Sequence, residues 1–346
     1  MLKNMYENER RILKECLPLR LPLCVSIEPT NLCNFKCVMC FHGNNVLADE
    51  AKPLKNMEDE VFQKTLDDLE DWTRSAGEKI KLIKLYSLGE PLVNPRLCDM
   101  VKAVKDRDIA DQIEITTNGS LMTKEISEKL VEYGLDIIRF SVYGIEEERN
   151  RYITKTDFTP AYIRENVRFL YECREKAGSR VPKIYAKMLN ENEEVNNEFI
   201  RMYRDITDVV GIDEVFNIDV GEGNNVFENY YGTESDKMHE SSFQSNIFQE
   251  RRSCRYPFTH MTVRNDGTVI VCCSDWLKEL KIGDVKEHTL KEIWESKTLY
   301  DMRMKILNTK GQCFKACRSC EIPYRDMPED SVDGIDTNRF SYENEY

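Results

Sequence analysis

"EPTNLCNFKCVMCFHG", residues Glu28 to Gly43, places Cys33, Cys37 and Cys40 within eight residues, separated by three and then two positions. A structural zinc site normally closes with four ligands, and an electron-transfer iron–sulfur cube takes four thiolates. Three thiols leave one metal ion with an open position. An open iron can bind a small chelating molecule directly and hand it an electron, so the missing ligand is itself a functional feature. His42 is the nearby residue that would instead complete a zinc site.

The stretch closes the first of a series of apolar runs. From residue 23 to about 220, "LCVSIEPT", "KLIKLYSLGEP", "QIEITTNGS", "IIRFSVYG", "KIYAKMLN" and "EVFNIDV" alternate with amphipathic segments such as "DEVFQKTLDDLEDWTRSAG", "NPRLCDMVKAVKDRD", "TKEISEKLVEYG" and "AYIRENVRFLYECREKAGS". Apolar residues recur in those segments at three- and four-residue spacing, the period of a helix. Strand then helix, six times over, predicts βαβ units and a parallel sheet. Glu28, Gly89, Glu90, Asn118, Ser141 and Lys187 stand at the C-terminal ends of the runs, where parallel α/β folds place their ligand sites.

Composition narrows the class. The 346 residues suit one large domain or two unequal ones. Lys plus Arg number 49 against 62 Asp plus Glu, a net charge of −13, which argues against a nucleic-acid partner. No apolar run approaches the ~18 residues of a membrane span, and the opening "MLKNMYENERRILKECLPLR" reads as neither signal nor anchor. Thirteen cysteines in so large a chain, mostly in two clusters, point to metal in a reducing cytoplasm and not to disulfides. Cys16, Cys24, Cys98 and Cys173 stand apart and read as small buried hydrophobes or idle thiols.

The second cluster comprises Cys254, Cys272, Cys273, Cys313, Cys317 and Cys320. Before it, residues 221–253 are polar and rich in Gly, Ser and Asn, a linker or a loop over the site. "MTVRNDGTVIVCC" then gives a hairpin turning at Asn265-Asp266-Gly267, and "TLKEIWESKTLYDMRMKILNTKG" a helix leading to "CFKACRSC". The expected layout is an N-terminal extension at 1–22, the repeated unit at 23–220, the linker at 221–253, a cysteine-bearing hairpin-plus-helix domain at 254–325 and a polar tail at 326–346.

Cys33-x3-Cys37-x2-Cys40 after a strand ending "SIEPTN", followed in order by "LYSLGEPLVNP", "ITTNGSLMT" and "FSVYG", resembles the radical S-adenosylmethionine (SAM) superfamily over most of residues 20–220. The resemblance implies a partial (β/α)6 TIM-like barrel and a 4Fe-4S cluster on Cys33, Cys37 and Cys40 whose fourth iron is chelated by SAM. It places Gly89 and Glu90 beside the methionine amino group, Asn118 and Ser141 near the ribose or carboxylate, and Lys187 near the carboxylate. Met39 stands where the family usually has an aromatic residue against adenine, and Leu88 replaces the first glycine of its GGEP segment.

The spacing from Cys254 through Gly267 to Cys272, with "GDVKEHTLKEIWES" beyond, resembles the SPASM module of auxiliary-cluster radical SAM enzymes. No cysteine follows Cys320, which matches the shortened twitch form with one auxiliary 4Fe-4S cluster. That form implies Cys254, Cys272, Cys317 and Cys320 as ligands. Neighbouring strand residues face opposite ways, so Cys272 and Cys273 do not both bind one cluster; C-x2-C is equally a zinc half-site.

The expected activity is therefore reductive cleavage of SAM to a 5'-deoxyadenosyl radical, with flavodoxin or ferredoxin as reductant, and hydrogen abstraction from a small polar metabolite. With the auxiliary cluster as electron acceptor the net reaction is a two-electron oxidation, as in twitch-type dehydrogenases that act on an aminocyclitol hydroxyl. Tyr143, Asp219, Glu222 and Arg264 are the candidate proton acceptors or substrate contacts. Peptide epimerisation or crosslinking, and redox-neutral sugar chemistry, are the alternatives. Fewer than 25 residues precede "VSIEPT", too few for a leader-peptide domain. A sensor or scaffold would have no use for the polar residues at successive strand ends.

Overall fold

The β-branched and aliphatic runs form strands buried on both faces, as a helix-covered parallel sheet requires. A computed structural model describes residues 12–43, 53–215, 226–232, 250–273, 275–318, 320–325 and 327–343. Strands β1 (Cys24–Ile27), β2 (Ile80–Lys84), β3 (Ala110–Thr117), β4 (Ile137–Val142), β5 (Lys183–Leu189) and β6 (Val209–Asp213) lie side by side in that order, every pair parallel. Between them run helices α1 (Asp59–Ala76), α2 (Leu97–Asp106), α3 (Lys124–Glu132), α4 (Glu147–Thr154), α5 (Pro160–Lys176) and α6 (Glu193–Tyr203). This is the partial (β/α)6 barrel.

Local chemistry sets the helix starts. The Thr123, Thr159 and Asn192 side chains accept from backbone N–H groups three residues on, capping α3, α5 and α6. Helix α1 turns Val61, Phe62, Leu66, Leu69 and Trp72 into the core.

The sixth strand departs from the sequence reading. "EVFNIDV" was the expected run, but the strand is Val209–Asp213; Glu214 and Val215 are outside it, and 216–220 lie outside the described residues. Gly211 disguises the true strand by interrupting its apolar run. A side chain there would collide with the Tyr185 ring and hydroxyl, so the sheet requires the glycine.

The C-terminal segment continues the same sheet. Strand β7 (His260–Val263) pairs parallel with β1, Cys24 opposite His260 and Ile27 opposite Val263. β8 (Thr268–Ile270) and β9 (Lys281–Asp284) follow antiparallel, completing a nine-stranded sheet ordered β6-β5-β4-β3-β2-β1-β7-β8-β9. The expected single helix beyond is two, α7 (Leu290–Trp294) and α8 (Lys297–Thr309). Ser296 divides them: its hydroxyl donates to Ile293 O at 2.8 Å and accepts from Leu299 N at 3.2 Å, ending one helix and capping the next.

Both ends of the described residues are fastened. Leu13, Leu17 and Leu21 are buried in the main core, and Trp294 Nε1 donates to Leu19 O. In the tail, Val332 and Phe340 are buried, the Phe340 ring meets Phe258 edge-on at 5.8 Å, and Glu343 N donates to Glu295 O. Within the stretch expected as linker, Val226–Tyr231 is helical, and Tyr230 packs with Val38, Ile153 and Val215. No helix of the described residues is long and apolar enough to cross a membrane.

Candidate functional site

The ends of β1 to β6 open onto a cavity of about 270 Å³ lined by Cys33, Cys37 and Cys40 together with Met39, Gly89, Glu90, Asn118, Ser141, Tyr143 and Lys187. All three residues expected to hold the first cluster and all six expected to touch SAM are thus brought to one place. The cysteine loop is bound to its surroundings through the backbone. Val38 N donates to Ile153 O, Lys36 N to Thr154 O and Glu90 N to Leu32 O. Two glycines are obligatory: a side chain at Gly89 would run into the Thr30 and Leu32 carbonyls, and one at Gly43 into those of Cys37 and Lys36.

Several of these side chains serve the site by holding it. Glu90 is buried; its Oε1 accepts from Leu92 N at 3.0 Å and Thr117 Oγ1 at 2.7 Å, and its Oε2 from Asn118 N at 2.7 Å. Burial nevertheless dominates those three bonds and pushes its carboxyl up to about 7. Asn118 Nδ2 donates to Asn34 Oδ1 at 2.9 Å while its Oδ1 accepts from Ser120, tying β3 to the cysteine loop. Lys187 Nζ pairs with Asp213 at 3.0 Å. Tyr143 lies against the thiols; burial first, and then Cys37, Cys33 and Cys40, push its phenol well above the usual range.

The thiols suit a cluster. None of them is in a disulfide. Burial pushes Cys33 up to about 12, Cys40 up to about 11 and Cys37 well above the ordinary thiol value. Protein alone therefore keeps them protonated, and a strongly Lewis-acidic group is needed to hold three thiolates together. Among the described residues no three His, Cys, Asp or Glu side chains meet closely enough for a single metal ion. An iron–sulfur cube separates its thiolates farther than one ion does. His42 lines the same cavity, but its ring packs at a tilt against Phe41 at 4.2 Å, and burial lowers its pKa to about 4.

A second cavity, with a void of only about 20 Å³, is lined by Cys254, Cys272, Cys317 and Cys320. Cys273 and Cys313 are exposed and do not line it; Cys313 Sγ instead accepts from Thr309 Oγ1 at 3.3 Å. The Glu279 carboxylate accepts from Lys315 N at 2.7 Å and Ala316 N at 2.6 Å, fixing the turn that carries Cys317. Desolvation pushes Cys317 up to about 12 and raises Cys320.

Of the four candidate proton acceptors, Tyr143 lines the first cavity, while Asp219 and Glu222 lie outside the described residues. Arg264 is not among the lining residues. It is 1% exposed and its Nε donates at 2.9 Å to Oε2 of Glu28, which is 0% exposed. Glu28 Oε2 also accepts from Asn265 N and its Oε1 from Leu88 N, each at 3.1 Å. One buried carboxylate thus ties β1, the loop before Gly89 and the β7–β8 turn.

Sequence reasoning missed the charged interior of the barrel. Tyr86, which lines the first cavity, donates at 2.6 Å to Glu114, which also accepts from Arg139 Nε at 3.1 Å. Lys84 Nζ lies 5.7 Å from the Tyr86 ring, and its charge also acts on Tyr256 in the wall of the second cavity. The available signal was alternation: Lys84, Glu114 and Arg139 interrupt runs that are otherwise apolar.

The family model of the radical SAM superfamily matches residues 27–203. The chain belongs to that superfamily. The model of the SPASM iron–sulfur cluster-binding domain matches residues 254–321. Radical SAM enzymes of this build use SAM, a 4Fe-4S cluster and auxiliary iron–sulfur, and the two cavities carry thiol sets suited to them. The chain is 26% identical over 325 residues, 86% of each chain, to the tungsten-containing aldehyde ferredoxin oxidoreductase cofactor-modifying protein of Pyrococcus furiosus. In fold it is similar to BtrN in complex with AdoMet and 2-DOIA, with a TM-score of 0.54 and 14% identity over 87% of this chain and 93% of that one. It is also similar to SuiB of Streptococcus suis bound to S-adenosylmethionine, with a TM-score of 0.61 and 17% identity over 93% and 79%.

Proposed function

We propose that this radical SAM enzyme abstracts a hydrogen atom from a small polar metabolite and completes a two-electron oxidation of it. Cys33, Cys37 and Cys40 would hold a 4Fe-4S cluster with one open iron, the source of the electron that cleaves SAM to methionine and the 5'-deoxyadenosyl radical. Cys254, Cys272, Cys317 and Cys320 would hold a closed auxiliary cluster able to take up an electron. The observation that carries the oxidation is this four-thiol closure, because a cluster with four protein ligands has no position for substrate.

Gly89 lets the loop approach the cysteine loop closely, and Glu90 offers its carboxylate edge to the SAM amino group. Asn118, Ser141 and Lys187 contribute polar groups to the remainder of SAM, and Met39 an apolar face to its adenine. Tyr86, with Glu114 behind its hydroxyl, joins Asp219 and Glu222 as a proposed proton acceptor. The Tyr86 oxygen takes the proton while its own passes to the carboxylate. Tyr143, held against the thiols, orders the cluster side of the cavity. The name of the Pyrococcus furiosus relative, a cofactor-modifying protein, supports a small-molecule substrate. Flavodoxin or ferredoxin would supply the priming electron.

The test uses anaerobically reconstituted protein with SAM, a chemical reductant and uniformly deuterated extract split into sugar, cofactor and peptide fractions. Deuterium should enter 5'-deoxyadenosine with a small-molecule fraction, and one component should lose about three mass units, a carbon-bound deuterium and a solvent-exchanged proton. Transfer from the peptide fraction alone would sink the proposal.

A further inference from the structure

Arg251 lies three residues before Cys254 and outside both family-model matches. It is 7% exposed and lines the cavity of the four cysteines. Its guanidinium is devoted to one loop: Nε donates to Lys310 O at 2.8 Å, Nη1 to Cys320 O at 3.1 Å and Arg318 O at 3.4 Å, and Nη2 to Cys317 O. The Tyr324 ring packs against it at 5.6 Å. A planar fork of donors can hold carbonyls from both cysteines and from the helix end at once, which a lysine cannot.

Among the described residues no carboxylate forms an ion pair with Arg251, and Asp275 in the same cavity wall is taken up by the Glu279 and Leu280 N–H groups. A buried cation without a counter-ion is costly, and this one sits where four thiolates would converge. An iron–sulfur cube with four cysteinates is an anion whose negative charge grows on reduction. A fixed cation beside it stabilises the reduced form more than the oxidised one and so raises its potential.

We propose that Arg251 is a positioning residue of the auxiliary cluster: it fixes the Cys317–Cys320 loop by its carbonyls, and its charge raises the cluster's reduction potential, suiting it to accept an electron. The inference rests on the assignment of the four cysteines to a cluster. The test takes reconstituted full-length wild type, Arg251→Gln and Arg251→Lys through iron analysis and a redox titration followed by electron paramagnetic resonance. Arg251→Gln should shift the auxiliary potential downward and leave that of the SAM-binding cluster unmoved. Arg251→Lys should keep a near-wild-type potential but lose auxiliary iron faster to a chelator. If Arg251→Gln retains no auxiliary iron, Arg251→Lys decides: a near-wild-type potential supports the proposal, and a potential well below wild type with the cluster retained overturns the role of charge. Unchanged iron and potentials in Arg251→Gln would overturn the inference alone. A wild type with one cluster would overturn the cysteine assignment first, and this inference with it.

Discussion

The two thiol sites solve opposite problems. At the barrel mouth, three cysteines share a roomy cavity with polar groups from five strand ends and leave a place for something else to bind. Under the C-terminal helices, four cysteines line a closed pocket, and Glu279 and Arg251 pin the backbone that carries two of them. An incomplete ligand set in an open cavity is built for exchange. A complete set in a closed one is built for permanence, and the contrast supports the proposed division between chemistry on a substrate and storage of an electron.

The contrast breaks most sharply at the cysteines. Replacing Cys33, Cys37 and Cys40 together by Ala should abolish 5'-deoxyadenosine release and remove about four irons per chain, read by chromatography and iron analysis. Cys317→Ala should also remove about four irons, yet leave 5'-deoxyadenosine release within several-fold of wild type while the oxidised product disappears. Parallel loss of both activities would show that the sites do not divide the work.

The structural tie between the two regions should be next in size. Arg264→Met strands the Glu28 carboxylate in the core, and urea unfolding should show a loss of about 3–5 kcal/mol. The double variant Glu28→Met/Arg264→Met should recover much of it, because a buried pair replaced by apolar groups leaves no orphan charge.

Glu90 gives a smaller effect with a definite sign. Its folded value of about 7 exceeds the ordinary 4.5, so the folded state holds the proton more tightly. That contribution is greatest below the ordinary value and fades as pH rises toward about 7. Thermal midpoints of the SAM-free protein should follow that slope, Glu90→Gln should flatten it, and the same variant should bind SAM about tenfold more weakly, the loss of one charged contact. Smallest of all, Cys273→Ser should leave iron content unchanged where Cys272→Ser does not.

Local pattern made much of this legible. Cysteine spacing and the residues at strand ends identified the lining of the first cavity, because a parallel sheet brings strand ends together whatever lies between them. The same logic located the hairpin, whose Asn-Asp-Gly turn is a short-range signal. Helix α8 was read as part of a longer one because Ser296 is compatible with a helix and only its two hydrogen bonds reveal the cap. Strand β6 was misplaced because Gly211 answers to Tyr185 on another strand. The Glu28–Arg264 pair spans 236 positions. Arg251 carries no motif at all: its partners are carbonyls, which every residue has.

The parallel pairing of β7 with β1 also bears on how the protein is made. A chain emerging from the ribosome exposes the outer edge of β1, just before Cys33, until residues 260–263 have been synthesised. Unpaired edges recruit other strands. A fragment that stops before β7 should therefore aggregate in spite of its six barrel strands, and the last quarter of the chain sets when the first strand can be safely folded.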